Sequence, residues 1–177
     1  MPATIFMNTV TAAFATVAVA AASFAGVKPG GAYDDGALTA LSRSEAAAHA
    51  QATFQRADRN GDGVLDVNEF AALTVVTAEL ANLNGFVSVE NNDSVRTIAL
   101  PVSAPLALGD AEQTRIDAVA RHTFYAFAGD DGKLQQGEYM GLQNAIFASS
   151  DLNANGALTR AELSLYAQRQ AFIRPGA

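Results

Sequence analysis

The chain has 177 residues, 50% of them hydrophobic and 16% charged, enough to bury the core of one domain or two small ones. Its net charge of −7 argues against a nucleic-acid partner, which asks for a basic stripe, and fits a protein that holds cations. The absence of Cys removes disulfides, thiolate metal sites and Cys nucleophiles, and the scattered His49 and His122 do not suggest a zinc site.

Residues 1–25 form a separate piece. Thr4 to Ala25 carries no charged residue, is rich in Ala, and ends Ser23-Phe24-Ala25 before Gly26. Small residues at these positions suit signal peptidase, so the segment reads as a secretory signal, although no Lys or Arg precedes the apolar run. The alternatives are a retained membrane helix and a buried N-terminal helix. Residues 26–41 open with the Gly- and Pro-rich stretch GVKPGGAYDDG and read as a linker running into an incomplete loop.

From residue 42 the pattern is mostly α-helical. SRSE at 42–45 is a capping box, with Ser42 at the cap and Glu45 reaching back, and predicts a helix from Arg43 to Ala57. After an oxygen-rich loop, Phe70, Leu73, Thr77, Leu80 and Leu83 recur at three- and four-residue steps, so a second helix runs to Asn84. Residues 85–109 interrupt the helical pattern: FVSVE and VRTIAL flank NNDS and suggest a β-hairpin, and PVSAPLALGD reads as a connection. Asp110 then reads as the cap of a helix over 111–127, GDDGKLQQGE opens a helix ending near Ser150, and a last helix ends near Phe172. The division is thus a unit at 42–84, an insertion at 85–109 and a second unit at 110–177, with 42–177 forming one domain.

The two oxygen-rich loops carry the chemistry. A hard divalent cation such as calcium takes six to eight oxygens, and a twelve-residue loop supplies them from positions 1, 3, 5, 7 (its backbone carbonyl), 9 and 12, with Gly at 6 for a sharp turn. DRNGDGVLDVNE places Asp58, Asn60, Asp62, Val64, Asp66 and Glu69 at these positions, with Gly63 at the turn. DLNANGALTRAE places Asp151, Asn153, Asn155, Ala157, Thr159 and Glu162 there, with Gly156 at the turn. Both loops resemble those of the EF-hand calcium-binding family, and the resemblance covers them and their flanking helices, about half of the chain. It implies two Ca²⁺ ions, one per loop. The first loop offers four carboxylates and the second two, so the first should bind more tightly, and magnesium, which prefers a smaller octahedral site, fits less well.

Two incomplete loops lie upstream. DDGKLQ at 130–135 puts Glu138 at position 12 but Phe127 and Gly129 at positions 1 and 3; DDGALT at 34–39 is read with Gly31, Tyr33 and Ser42 at positions 1, 3 and 12. Both lack front ligands and read as degenerate. The order half-loop, helix, full loop, helix occurs twice, which suggests a duplication. One helix, Tyr139 to Ser150, separates Glu138 from Asp151 and holds its two loops at opposite ends, so loops should pair across the halves: Leu65 with Leu158, and Leu38 with Leu134.

Phe54, Phe70, Phe124, Phe127, Tyr139 and Phe147 flank the loops and serve either as ordinary core or as a surface for a target helix. No nucleophile elbow, phosphate loop or second catalytic cluster appears, so an enzyme is not expected. The reading is an exported, periplasmic or extracellular calcium-binding module with a protein partner, acting as a sensor; the alternative is a structural, calcium-stabilised subunit of a larger assembly. A membrane contact follows only if the N-terminal segment is retained.

Overall fold

The computed structural model describes residues 36–91, 94–101 and 107–172, which fall in one compact unit, Tyr33–Ala177. The N-terminal apolar segment and the front of the first half-loop lie outside the described residues. Among the described residues no helix is long and apolar enough to cross a membrane.

The chain is mostly α-helical. Helices α1 (Arg43–Ala57), α2 (Val67–Asn84), α3 (Asp110–Phe127), α4 (Gln136–Ser150) and α5 (Ala161–Gln170) are joined by short strands β1 (Ala40–Ser42), β2 (Val64–Leu65), β5 (Leu134–Gln135) and β6 (Ala157–Thr159), with a hairpin, β3 (Phe86–Asn91) and β4 (Ser94–Ala99), between α2 and α3. α1 starts where its capping box predicts: the Glu45 N–H donates to Ser42 Oγ at 3.2 Å and the Ser42 N–H to Glu45 Oε2 at 2.8 Å. Gly85, left-handed at φ 72°, stops α2 and turns the chain into the hairpin. At α3 the cap differs from expectation. Gly109 is the N-cap, its carbonyl accepting from the Glu112 and Gln113 N–H groups at 2.9 and 3.0 Å, and Asp110 is the first helical residue, its charge beside the positive helix end.

Loop pairing across the halves is observed, with different partners from those expected. Leu65 pairs with Leu134 in the β2–β5 bridge, and Leu158 pairs with Leu41 in the β1–β6 bridge; all four leucines are buried. The reason lies in the route of the chain. α2 and α3 have 18 residues each and pack together, running out from the first full loop and back. The second half-loop is therefore delivered beside the first full loop. With both bridges antiparallel and α1 and α4 spanning between them, α1 and α4 must lie antiparallel, each about 22 Å long at 1.5 Å per residue.

The β1–β6 register also corrects the first half-loop by three residues. Leu41 stands opposite Leu158, position 8 of the second loop, so Ser42 is at position 9 and Glu45 at position 12, where Ser42 had been expected. Gly36 and Leu38, which now fall at positions 3 and 5, lie along β4: the Thr97 N–H donates to the Gly36 carbonyl at 2.8 Å, and the Leu38 N–H to the Thr97 carbonyl at 2.9 Å. A backbone extended against a strand cannot also curl around an ion. The second half-loop keeps the expected register, with Gln135 at the cap and the Gln135 N–H donating to Glu138 Oε2 at 2.8 Å.

Two apolar clusters fill the two poles. One gathers Phe54, Leu65, Phe70, Phe124, Leu134 and Tyr139; the other gathers Leu41, Val87, Ile98, Phe147, Leu158 and Tyr166. Ile146 on α4 packs against both. Of the stripe Phe70, Leu73, Thr77, Leu80 and Leu83, Phe70 is buried and Leu73 packs against the core, but Leu80 and Leu83 face outward; the buried face of α2 continues instead through Ala71, Thr74, Ala78 and Ala81, whose small side chains let neighbouring backbone approach.

Candidate metal sites

The first loop joins α1 to α2 and is wound around its first residue. Asp58 Oδ1 accepts the N–H groups of Gly61 and Asp62 at 2.8 and 3.2 Å, and Oδ2 that of Gly63 at 2.9 Å. Asn60 and Asp62 continue the turn by accepting from the Asp62 and Val64 N–H groups. Gly61 and Gly63 sit at φ 71° and 83°, backbone that L side chains rarely adopt. The loop is closed by Glu69, whose Oε1 accepts from the Arg59 N–H at 3.1 Å and Oε2 from the Asp66 N–H at 3.0 Å. Asp66 also caps α2, its Oδ1 accepting from the Asn68 and Glu69 N–H groups at 2.7 and 2.8 Å.

The second loop, between α4 and α5, repeats most of this winding; the bond from position 4 to position 1, Gly61 to Asp58 in the first loop, has no counterpart among its hydrogen bonds. Asp151 accepts from Asn155 and Gly156 at 3.1 and 2.9 Å, and Asn153 and Asn155 accept from the Asn155 and Ala157 N–H groups at 3.0 and 2.8 Å. Glu162 closes the loop on the N–H groups of Leu152 and Thr159, both at 3.1 Å. Three further features differ. Position 4 is Ala154 at φ 56° where the first loop has Gly61. Thr159 makes no cap to α5, which begins one residue later than α2 does relative to its loop, after Arg160 at φ 47°. Asp151 and Glu162 are 7% and 6% exposed, so this loop is set deeper in the protein.

Each full loop thus brings its six sequence-predicted positions onto one short turn. Among the described residues no three His, Cys, Asp or Glu side chains are gathered into a metal-holding group; the carboxylates are held by the loops' own N–H groups. The donor set is nonetheless that of a hard cation. Side-chain oxygens fill every ligand position except 7, a backbone carbonyl, and neither sulfur nor imidazole is present. Four carboxylates on one loop repel one another unless a cation or N–H groups balance them.

Of the aromatic residues flanking the loops, Phe54, Phe70, Phe124, Tyr139 and Phe147 are buried, and Phe127 is exposed. Phe54 and Tyr139 meet at 5.6 Å between centroids, and Phe70 and Phe124 at 6.0 Å. Sequence reasoning missed a contact of α1 with the hairpin. The Glu90 N–H donates to His49 Nδ1 at 3.1 Å, Arg56 pairs with the Glu90 carboxylate, and Arg96 lies 4.0 Å from Glu45. Burial, with Arg56 nearby, pushes the His49 imidazole down to about 4. Glu45, His49 and Arg56 fall on one face of α1 by helical spacing, and their charge complementarity to Glu90 and Arg96 was the signal available in the sequence.

A family model described as EF hand matches residues 50–74, covering the end of α1, the whole first loop and the start of α2. The match supports calcium binding, and the family is typically non-enzymatic. Comparison with curated proteins and with solved structures gives no match.

Proposed function

We propose, from the premise that this chain is a member of the EF-hand calcium-binding family, that it binds two calcium ions, one in each full loop, as an exported calcium-dependent binding module. The observation that carries the two-ion reading is the repetition of the winding: Asp58 and Asp151 accept from Gly63 and Gly156 at the same 2.9 Å, and Glu69 and Glu162 close their loops in the same way. The ligands of the first site are Asp58, Asn60, Asp62, the Val64 carbonyl, Asp66 and Glu69. Those of the second are Asp151, Asn153, Asn155, the Ala157 carbonyl, Thr159 and Glu162. The first holds its ion more tightly because it brings more charge. Export rests on the apolar segment Thr4–Ala25, and a protein partner outside the cytosol is part of the same reading.

A second reading, calcium as a structural element of a larger assembly, is favoured by one observation. α1 is tied at its start by β1–β6, at its end by β2–β5, and along one face by the hairpin, an arrangement that opposes the opening of a target groove. Calorimetric calcium titration of the full chain, with an apolar dye followed in parallel, tests both readings. Two binding steps are expected, each lost in its own variant, Glu69→Gln or Glu162→Gln, with at least about a hundredfold weaker binding at that loop, on the order of 2.7 kcal/mol. Dye binding that rises with calcium marks a sensor; dye binding that falls marks a structural role. A single step unaffected by Glu162→Gln would reject the second site.

A further inference from the structure

The two full loops do not touch each other through a strand pair. Each is bridged instead to an incomplete half-loop: the first loop to 127–138, with Phe127 and Gly129 at positions 1 and 3, through Leu65 and Leu134, and the second to the segment ending at Glu45, with Gly36 and Leu38 at positions 3 and 5, through Leu158 and Leu41. Those half-loops are not loose ends. Gln135 is the N-cap of α4, its N–H held by Glu138 Oε2, and α4 runs without a break to Asp151, position 1 of the second loop. Ser42 caps α1 through its box with Glu45, and α1 runs to Asp58, position 1 of the first loop. The connections therefore form a closed circuit: first loop, half-loop, α4, second loop, half-loop, α1, first loop.

The side chains of α4 follow the same circuit. Tyr139 near its start lies 5.6 Å from Phe54 and 6.5 Å from Phe70, inside the core under the first loop. Phe147, two turns on, lies 6.3 Å from Tyr166 on α5, and the Arg43 guanidinium of α1 stands 5.4 Å over its ring. Ile146 touches both cores. A close-packed helix fixed in this way transmits a displacement at one end to the other, because its interior has no slack to absorb it.

The geometry points to a relay: the two incomplete half-loops couple calcium binding at 58–69 to calcium binding at 151–162 through the antiparallel pair α1 and α4. This rests on the two-ion reading above. The half-loops are then working parts, each supplying a bridging leucine and a glutamate, Glu45 or Glu138, that holds the start of its helix. Coupling of this kind is reciprocal, so each ion must change the other's affinity by the same factor.

The test uses the full chain labelled with nitrogen-15, following the amides of Gly63 and Gly156 as reporters of the two loops during calcium titration. Gly63 should report at least about fivefold weaker calcium binding in Glu162→Gln than in the wild type, and Gly156 the same factor in Glu69→Gln, fivefold being the low end of measured couplings. Replacing the relay's capping residue, Glu138→Ala, should bring both factors below about twofold while both loops still bind. Because any one variant can disturb folding, the wild-type titration is read as well: the Gly156 reporter should shift in part while the first loop alone is filling. Two ions binding with all factors below twofold, or coupling undiminished in Glu138→Ala, overturns the relay and leaves the two-site reading intact. A Gly156 amide that never responds to calcium overturns both.

Discussion

The two poles of the molecule solve one packing problem with different materials. At the first pole a full loop and a half-loop are walled by four helices, α1, α2, α3 and α4, whose side chains Phe54, Phe70, Phe124 and Tyr139 close over the Leu65–Leu134 bridge. At the second pole α1, α4 and α5 supply helical walls, and the hairpin supplies much of the rest, with Val87, Val89, Ile98 and Leu100 buried beside Leu41 and Leu158. The chain before β1 runs along β4 through Gly36 and Leu38, so strand pairing occupies the approach to this half-loop. A paired-loop core needs its apolar bridge covered, and it matters less whether a helix or a sheet face does so. The insertion at 86–99 thereby acquires a role: it completes the second core.

Breaking the bridges gives the largest effect. Leu134 and Leu41 are 0% and 1% exposed, and truncating either to Ala should cost about 3–4 kcal/mol in chemical denaturation. Leu134→Ala should weaken calcium binding most at the first loop and Leu41→Ala most at the second. Equal weakening at both loops by either variant would mean that the poles are not separate cores.

The pH dependence isolates the hairpin-walled pole. With the His49 imidazole pushed from 6.5 to about 4 by burial, the unfolded chain takes up this proton first. Its contribution to stability is complete above about pH 6.5 and declines by about 1.4 kcal/mol per unit as the pH falls toward 4. Comparison with His49→Gln removes the background from carboxylates, and the difference between the two proteins should show this slope. Parallel stability curves would show that His49 is not held as a buried, neutral imidazole against the hairpin.

The loops themselves can be made more alike. Thr159→Asp gives the second loop a third carboxylate and should tighten its calcium binding about tenfold, on the order of 1.4 kcal/mol. No gain in calorimetry would mean that the depth of Asp151 and Glu162, not charge, sets this site. The smallest change is at position 4. Ala154→Gly should stabilise the protein by about 1 kcal/mol, and Gly61→Ala should destabilise it by a similar amount, since only Gly takes a left-handed backbone without strain. Thermal unfolding that moves the same way in both variants would contradict that assignment.

Much of this protein was legible in its residues alone. The register of both full loops, the Ser42–Glu45 box, the bounds of α1 and the hairpin follow from local rules: oxygen spacing, capping chemistry and the alternation of β-branched residues. Each depends on residues a few positions apart. The partners of the bridges, the first half-loop's register and the grip of Glu90 and Arg56 on α1 join residues far apart in sequence, and their local signals are equivocal. Leu38 and Leu41 are equally apolar, and either could occupy position 8 until β6 lies beside one of them. Leu158 was an equally good partner for Leu65 until α2 and α3, of equal length, carried the chain out and back and set Leu134 there instead. The loops and caps were fixed by short-range chemistry; which loop met which was decided by the path of the helices, because an apolar bridge pairs with whatever the packed chain delivers to it.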